Sequence, residues 1–440
     1  IIFGSVPFIL LRPHVGIMMW TWISIMNPHR LTWGFISDFP VAMLIAVVTV
    51  VSWLMSKEEK KVPWDPIIVL IAVYLAWTGF TTLLALVPDA AGAPFRKFAK
   101  GILMIFLTLA LMRSEKRLEI LIWIIAVSVG YFSVKGGIFT LMTGGQYRVW
   151  GPPNSIIFGN NELAIATLMI LPLMRYLALK ADNKWIRWGL NVSIPLSLVS
   201  VIGSYSRGAF LAMAALAVVW WWKSNRRLAF GAVAVVLAIV LVPIIPSKWV
   251  ERMHSIENYE EDGSAQGRLR IWTFAINVAK DRPFTGGGFG VFRGREKIYS
   301  KYNPNSKRRN VHSIYFEVLG TQGFVGLILF LAIGLTALRT CTSIQKRTRD
   351  RPDLINENRF AGMLKLSLVA YAVGGAFLNM STYDQYYLLL ITLVLCKGIV
   401  DQKLDLAGVA DTSMNVPSFR RPAAIAVDPE PAPAHPSFRR

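Results

Sequence analysis

Apolar stretches close to twenty residues long recur along most of the chain, and that repetition restricts the fold more than any single motif. They cover 38–56, 66–87, 95–112, 118–142, 159–179, 185–203, 208–222, 228–245, 312–338, 360–379 and 384–400. A helix needs roughly 20 apolar residues to cross a hydrocarbon core of ~30 Å. The runs lack the period-two alternation of a transmembrane barrel. Hydrophobic residues make up 54% of the 440 and charged residues 17%, with a mean hydropathy of +0.46. The expected fold is an all-α polytopic membrane protein with about 12 transmembrane helices. A short pair, 1–11 and 14–26, flanks Arg12-Pro13 and reads as two spans or as one broken helix, so 13 is the other count. The expected divisions are N-terminal membrane helices over 1–245, a loop with short amphipathic helices over 246–311, membrane helices over 312–400, and a tail over 401–440.

The net charge is +21. Its distribution argues against nucleic-acid binding, because the charges sit in short loops between spans and not on one domain. The segments 57–61, 113–117, 180–187, 223–227 and 339–351 are rich in Lys or Arg and fall on one side by alternation. The positive-inside rule makes that side cytoplasmic. The Pro- and Ala-rich tail from 401, with Pro-Ser-Phe-Arg-Arg at 417–421 and again at 436–440, then lies on the cytoplasmic side and reads as disordered. The other side carries 27–37, 88–97, 143–158, 204–207 and the long loop 246–311. That loop has 13 Lys or Arg against 7 Asp or Glu. A loop of this length is largely exempt from the topology rule, so solvation or the binding of anionic headgroups and phosphates explains its charge. No cleavable signal peptide is evident, and the opening Ile1-Ile2-Phe3 reads as a start inside a helix. Cys341 and Cys396 form no CxxC or Cys/His cluster, and the five histidines lack metal-ligand spacing.

Four polar constellations fall on the non-cytoplasmic side. Tyr147-Arg148-Val149-Trp150 ends one span, and Asn160-Asn161-Glu162 opens the next. Arg148 is either an interfacial anchor between two aromatic residues or an anion ligand. Ser204-Tyr205-Ser206-Arg207-Gly208 separates two apolar stretches by so few residues that Arg207 stays near the membrane. It also sits at a helix start, where free N–H groups favour an anion. The bland alternative is an arginine snorkelling to water. Gly267-Arg268-Leu269-Arg270-Ile271-Trp272 opens a run with helical apolar spacing, expected to lie on the membrane surface. Arg268 and Arg270, two apart, do not share a helix face, so one of them is expected to face a site. The glycine run 286–290 lacks a P-loop ending and reads as a tight turn or gate. Finally, His312-Ser313 follows a basic loop and opens a long apolar helix. There the imidazole is either a polar residue at a helix start or a general base.

In this order and spacing, Ser206-Arg207-Gly208, Gly267-Arg268-Leu269 with Trp272, Gly286-Gly287-Gly288-Phe289-Gly290, and His312-Ser313 followed by Glu317 resemble the O-antigen ligase family. Residues 20–30, Trp-Thr-Trp-Ile-Ser-Ile-Met-Asn-Pro-His-Arg, resemble its exosortase-associated O-glycosylation branch. The resemblance implies a GT-C-like membrane glycosyltransferase of the bacterial inner membrane, active on the periplasmic face. It would join a glycan from undecaprenyl pyrophosphate to a hydroxyl of lipid A-core in lipopolysaccharide biosynthesis. Carried over by motif, His312 would be the general base, and Arg207 and Arg268 would hold the pyrophosphate, with Arg148 a third and Arg270 the alternative to Arg268. Ser206, Tyr147, Asn161, Trp272 and Ser313 would support them. Ser313 departs from the Asn of many relatives, at a position expected to orient and not to react.

Arginines and a helix N-terminus can stabilise a pyrophosphate leaving group without a metal. The acidic cluster Glu260-Glu261-Asp262 lacks a convincing metal-site pattern. Transfer is therefore expected to be metal-independent, without a cofactor, and inverting. An O-antigen polymerase or a protein O-oligosaccharyltransferase would use the same donor and differ in acceptor. A lipid-linked sugar transporter is the alternative of another class, although no internal repeat supports it.

Overall fold

The computed structural model describes residues 1–223 and 263–414, apart from 33, 38, 61, 295 and 305–308. The expected span 228–245, the acidic cluster 260–262 and the tail repeats lie outside the described residues. Residues Ile1–Val400 form one compact unit, and 401–440 are a second. The described elements are helical throughout: α1 (Ile2–Leu11), α2 (Pro13–Met26), α3 (Val41–Met55), α4 (Pro66–Leu83), α5 (Pro88–Leu111), α6 (Glu115–Met142), α7 (Asn160–Lys180), α8 (Lys184–Gly203), α9 (Arg207–Lys223), α10 (Gly263–Asp281), α11 (Glu296–Tyr302), α12 (Ile314–Arg347), α13 (Ile355–Gly375) and α14 (Asp384–Met414).

Helix ends follow local chemistry. Asp65 accepts the Ile67 N–H at 2.9 Å and precedes Pro66 at the start of α4. Ser114 caps α6 and Asn183 caps α8 in the same way. Arg12 adopts an extended conformation before Pro13, which splits the N-terminal pair into helices of 10 and 14 residues. Neither half is long enough to cross a bilayer alone.

Among the described residues, α4, α6, α7, α8 and α12 are long and apolar enough to cross a membrane, and α1, α3 and α9 are shorter apolar helices. The chain is thus a polytopic helical membrane protein. Its centre is α7, whose most apolar window is 83% buried, against 22% for α8 at the periphery. Helices α6, α8 and α13 surround α7, and α12 packs on α4, α10 and α13.

Three expectations are corrected. Residues 88–97, read as a loop, are the first turns of α5, because Pro88 fits a helix start and small residues follow it. Residues 401–414, read as disordered, belong to α14. The apolar stripe of α10, expected on a membrane surface, is buried against protein instead. Ile271, Phe274 and Val278 form a core cluster with Val291, Tyr299, Tyr302 and Val311. An amphipathic stripe records only that one face is covered, not what covers it.

The glycine run is a tight turn strapped to α12. Gly286, Gly288 and Gly290 all have positive φ, where side chains are strained. The Gly287 N–H donates to the Gly320 carbonyl at 2.8 Å and the Gly288 N–H to Thr321 at 2.9 Å. The strap meets α12 where Gly323 (φ 69°, ψ −169°) breaks its helical path.

Candidate active site

Three helices begin around one cavity of about 170 Å³. The start of α7 contributes Asn160 and Asn161. The start of α9 contributes Arg207, Gly208 and Ala209. His312 lies two residues before α12. Arg148 reaches in from the segment before α7, and Arg268 from the second turn of α10. Gly374, Phe377 and Leu378 complete the wall. Helix N-termini carry unsatisfied N–H groups and a partial positive charge, so this convergence favours an anion before any side chain is counted.

The turn before α9 is held from several directions. Ser206 Oγ accepts the Ala209 N–H at 3.2 Å and so caps the helix. The Ser206 N–H donates to Ser204 Oγ at 3.2 Å, and Asn160 Nδ2 donates to the Ser204 carbonyl at 2.7 Å. Tyr205 adopts a left-handed conformation (φ 58°), and its hydroxyl donates to the Gly145 carbonyl at 2.6 Å. Burial raises the Tyr205 pKa above its ordinary value, so the phenol is a neutral donor. The Arg148 guanidinium lies 5.9 Å from the centre of the Tyr205 ring. Gly208 is needed because Phe377 occupies the space a Cβ would take.

His312 is left-handed as well (φ 52°). Non-glycine residues with positive φ are costly and need outside support. Here the support is Asn379, in the turn between α13 and α14, whose Oδ1 accepts the His312 N–H. Asn379 also hydrogen-bonds Glu317, whose carboxylate accepts the Ser381 N–H at 3.2 Å. The segment before α12 has a second strut. Trp272 Nε1 donates to the Val311 carbonyl at 2.8 Å, and its ring stacks on Phe316 at 4.8 Å.

Burial lowers the His312 pKa to about 4, and the Arg268 and Arg309 charges push in the same direction. The imidazole is therefore neutral at pH 7 and can accept a proton. Its Nδ1 is buried and has no hydrogen-bond partner among the described residues. The Arg309 guanidinium lies over Gly267, at the position a side chain would fill.

Arg148, Asn161, Ser206, Arg207, Arg268 and His312, singled out in the sequence, thus share one cavity. Four other candidates do not line it. Arg270 is exposed, and its carbonyl accepts Asn303 Nδ2 at 2.9 Å. Tyr147 is exposed and tilts against Phe139. Trp272 acts as the strut just described. Ser313 is buried at the N-cap of α12 but makes no side-chain capping bond. Asn160, Tyr205, Phe377, Leu378 and Asn379 were not singled out as site residues. The cue for Asn379 is its place in the short polar break between the apolar runs of α13 and α14.

Residues 192–331 match the family model described as O-Antigen ligase. Over that stretch the chain is similar to the O-antigen ligase family. The match includes Ser206, Arg207, Arg268 and His312, whereas Arg148 and Asn379 fall outside it. Residues 1–182 match a family of unknown function, DUF5935. No curated protein matches the chain. The O-antigen ligase domain supports a ligase- or polymerase-type glycosyltransferase role in polysaccharide synthesis, carried out by a multi-pass membrane protein.

Proposed function

We propose that the chain is a GT-C-like O-antigen ligase of the bacterial inner membrane. It transfers a glycan from undecaprenyl pyrophosphate to a hydroxyl of lipid A-core on the periplasmic face. The observation that carries this reading is the convergence of Arg148, Arg207, Arg268 and His312 on one cavity where helices begin. The arginines and helix N-termini bind the donor pyrophosphate, for which a planar, permanently charged fork is well suited. His312 accepts the proton of the acceptor hydroxyl. The acceptor oxygen then forms the new bond to the anomeric carbon, and the bond from that carbon to the phosphate oxygen breaks. Pyrophosphate leaves with the electron pair, and the anomeric centre inverts. Charge developing on the leaving group is met by preorganised donors, which calls for no metal.

A donor also tunes the base. Its negative charge offsets Arg268 and Arg309, two of the causes that depress His312. Donor binding therefore raises the basicity of His312 when proton transfer is required.

The test is transfer in a reconstituted system containing the purified protein, undecaprenyl-pyrophosphate glycan and lipid A-core. Glycan should appear on lipid A-core and should be lost with His312→Ala and with Arg207→Ala. It should persist in excess EDTA. Donor glycan that lengthens, or that moves to protein, would replace the ligase reading with a polymerase or a protein O-oligosaccharyltransferase. Passage of donor across the membrane without transfer would replace it with a transporter.

A further inference from the structure

A second cavity lies in the first 182 residues and in α14, away from the arginines. It is a trough of about 530 Å³. Its floor includes Trp20 and Ser24 of α2. One wall is α3, where Met43, Val47 and Val51 are exposed, and the other is α5. Both α3 and α5 pack on α2. Lys97 and Lys100, three apart on α5, share a face and line the trough together. Both are exposed, and neither makes a hydrogen bond or ion pair with a described residue. The single carboxylate in the lining, Asp384, is packed against Gly101 and within the field of Lys97. Two ammonium groups thus face one carboxylate at the edge of an apolar channel.

The trough sets these two cations beside exposed apolar side chains, an arrangement that suits an amphiphile with an anionic head. The ligand that matches an apolar trough with ammonium groups is a lipid whose tail fills the channel and whose phosphate reaches the lysines. The trough and the arginine cavity are also built from the same connections. Asn154, Ser155 and Ile156 line the trough, while Arg148 and Asn160 from the same stretch line the cavity. Asp384 lines the trough, six residues beyond Leu378 of the cavity.

We infer that this trough holds the phosphorylated lipid end of the acceptor. The inference rests on the proposed transfer reaction. A two-lipid reaction needs a second apolar berth, and among the described residues the arginine cavity is lined mainly by polar and charged side chains.

The experiment uses the full chain in nanodiscs, with lipid A-core titrated at saturating donor. A Lys97→Gln/Lys100→Gln variant should raise the acceptor KM about tenfold or more, as expected for charge-assisted contacts. The kcat and the donor KM should stay near their parent values. Enzymatic removal of the lipid A phosphates should raise the parent's KM to the variant's level and leave the variant's unchanged. Val47→Trp, which narrows the trough without touching a charge, should raise the acceptor KM as well. In parallel, lipid A carrying a photoreactive acyl chain should crosslink to α3 and α5 of the parent, and less to the double variant. An unchanged acceptor KM overturns the inference, as does a rise in donor KM alone, which would assign the trough to the polyprenyl tail. Crosslinking that phosphatidylglycerol abolishes at equal concentration also overturns it, since the berth would then be an ordinary lipid site. If no transfer to lipid A-core occurs at all, the proposed function fails, and the crosslink pattern still decides the trough.

Discussion

The arginine cavity and the lysine trough both place positive charge at the edge of a membrane-embedded fold, but they are built in opposite ways. In the cavity, the cations come from three separate segments and stand among helix N-termini, asparagines and serines. In the trough, the cations come from one helix face and stand against exposed valine, leucine and methionine. A preorganised ring of donors suits charge that changes during a reaction. A pair of flexible ammonium groups beside an apolar wall suits charge that is only held. The contrast separates a place for chemistry from a place for anchorage.

The strongest challenge to that division is removal of the base. His312→Ala should lower kcat by about 10²- to 10⁴-fold, the usual range for loss of a general base. The acceptor KM should move little, because the lipid anchor is elsewhere. Steady-state rates with both substrates varied would show this. A large acceptor KM change with modest kcat loss would merge the two regions into one. Next comes the choice of cation. Arg207→Lys keeps the charge but loses the planar fork, and should cost about tenfold in kcat/KM for donor. Arg270→Ala, at an exposed position outside the cavity, should leave the rate within about twofold. If Arg270→Ala matched Arg207→Ala, the donor site would extend beyond the cavity walls.

How much of this the sequence displays depends on what kind of physics each residue uses. Arg148, Arg207 and His312 stand out because an apolar run on one side of each confines it to a boundary, and Arg268 stands out through its motif. Confinement alone brought the first three near a common level, and folding brought all four together. Asn379 carries no such mark. It works through one backbone N–H from 67 positions away, and that pairing exists only after α13 and α14 return the chain to α12. Trp272 was visible as an aromatic residue in a motif, but its task of bracing Val311 was not. The α10 stripe shows the same limit, since hydrophobic periodicity specifies a covered face and leaves its partner open. The trough was legible only in part. Lys97 and Lys100 of α5 sit three apart in the sequence, yet the wall they face comes from α3, with no sequence signal joining the two.

A smaller effect probes the support beneath the cavity. Asn379→Ala removes the acceptor that holds the left-handed His312 backbone. The expected result is a kcat loss of about tenfold, equivalent to roughly 1.4 kcal/mol, with unchanged KM for both lipids. A purely structural role would instead lower the melting temperature and the amount of active protein while leaving kcat per active site intact. Active-site titration separates these outcomes.

The finest discrimination comes from pH. In the free protein His312 has a pKa of about 4, below its ordinary 6.5, because of burial and then Arg268 and Arg309. It is the neutral form that accepts a proton, so kcat/KM for donor should hold its plateau as pH falls and bend only near 4. The bound donor is anionic and raises the pKa, so the acid limb of kcat should lie at higher pH than that of kcat/KM. Stability follows with its own sign. A histidine whose folded pKa is depressed withholds a proton that the unfolded chain binds. Its contribution is therefore complete above pH 6.5 and is lost as pH falls towards 4. His312→Gln should flatten the part of the melting-temperature decline that lies in that window. It should also remove the separation between the two acid limbs. If the limbs coincide in the parent protein, the donor's charge does not reach His312, and the arginines that depress the base would not be the groups that hold the pyrophosphate.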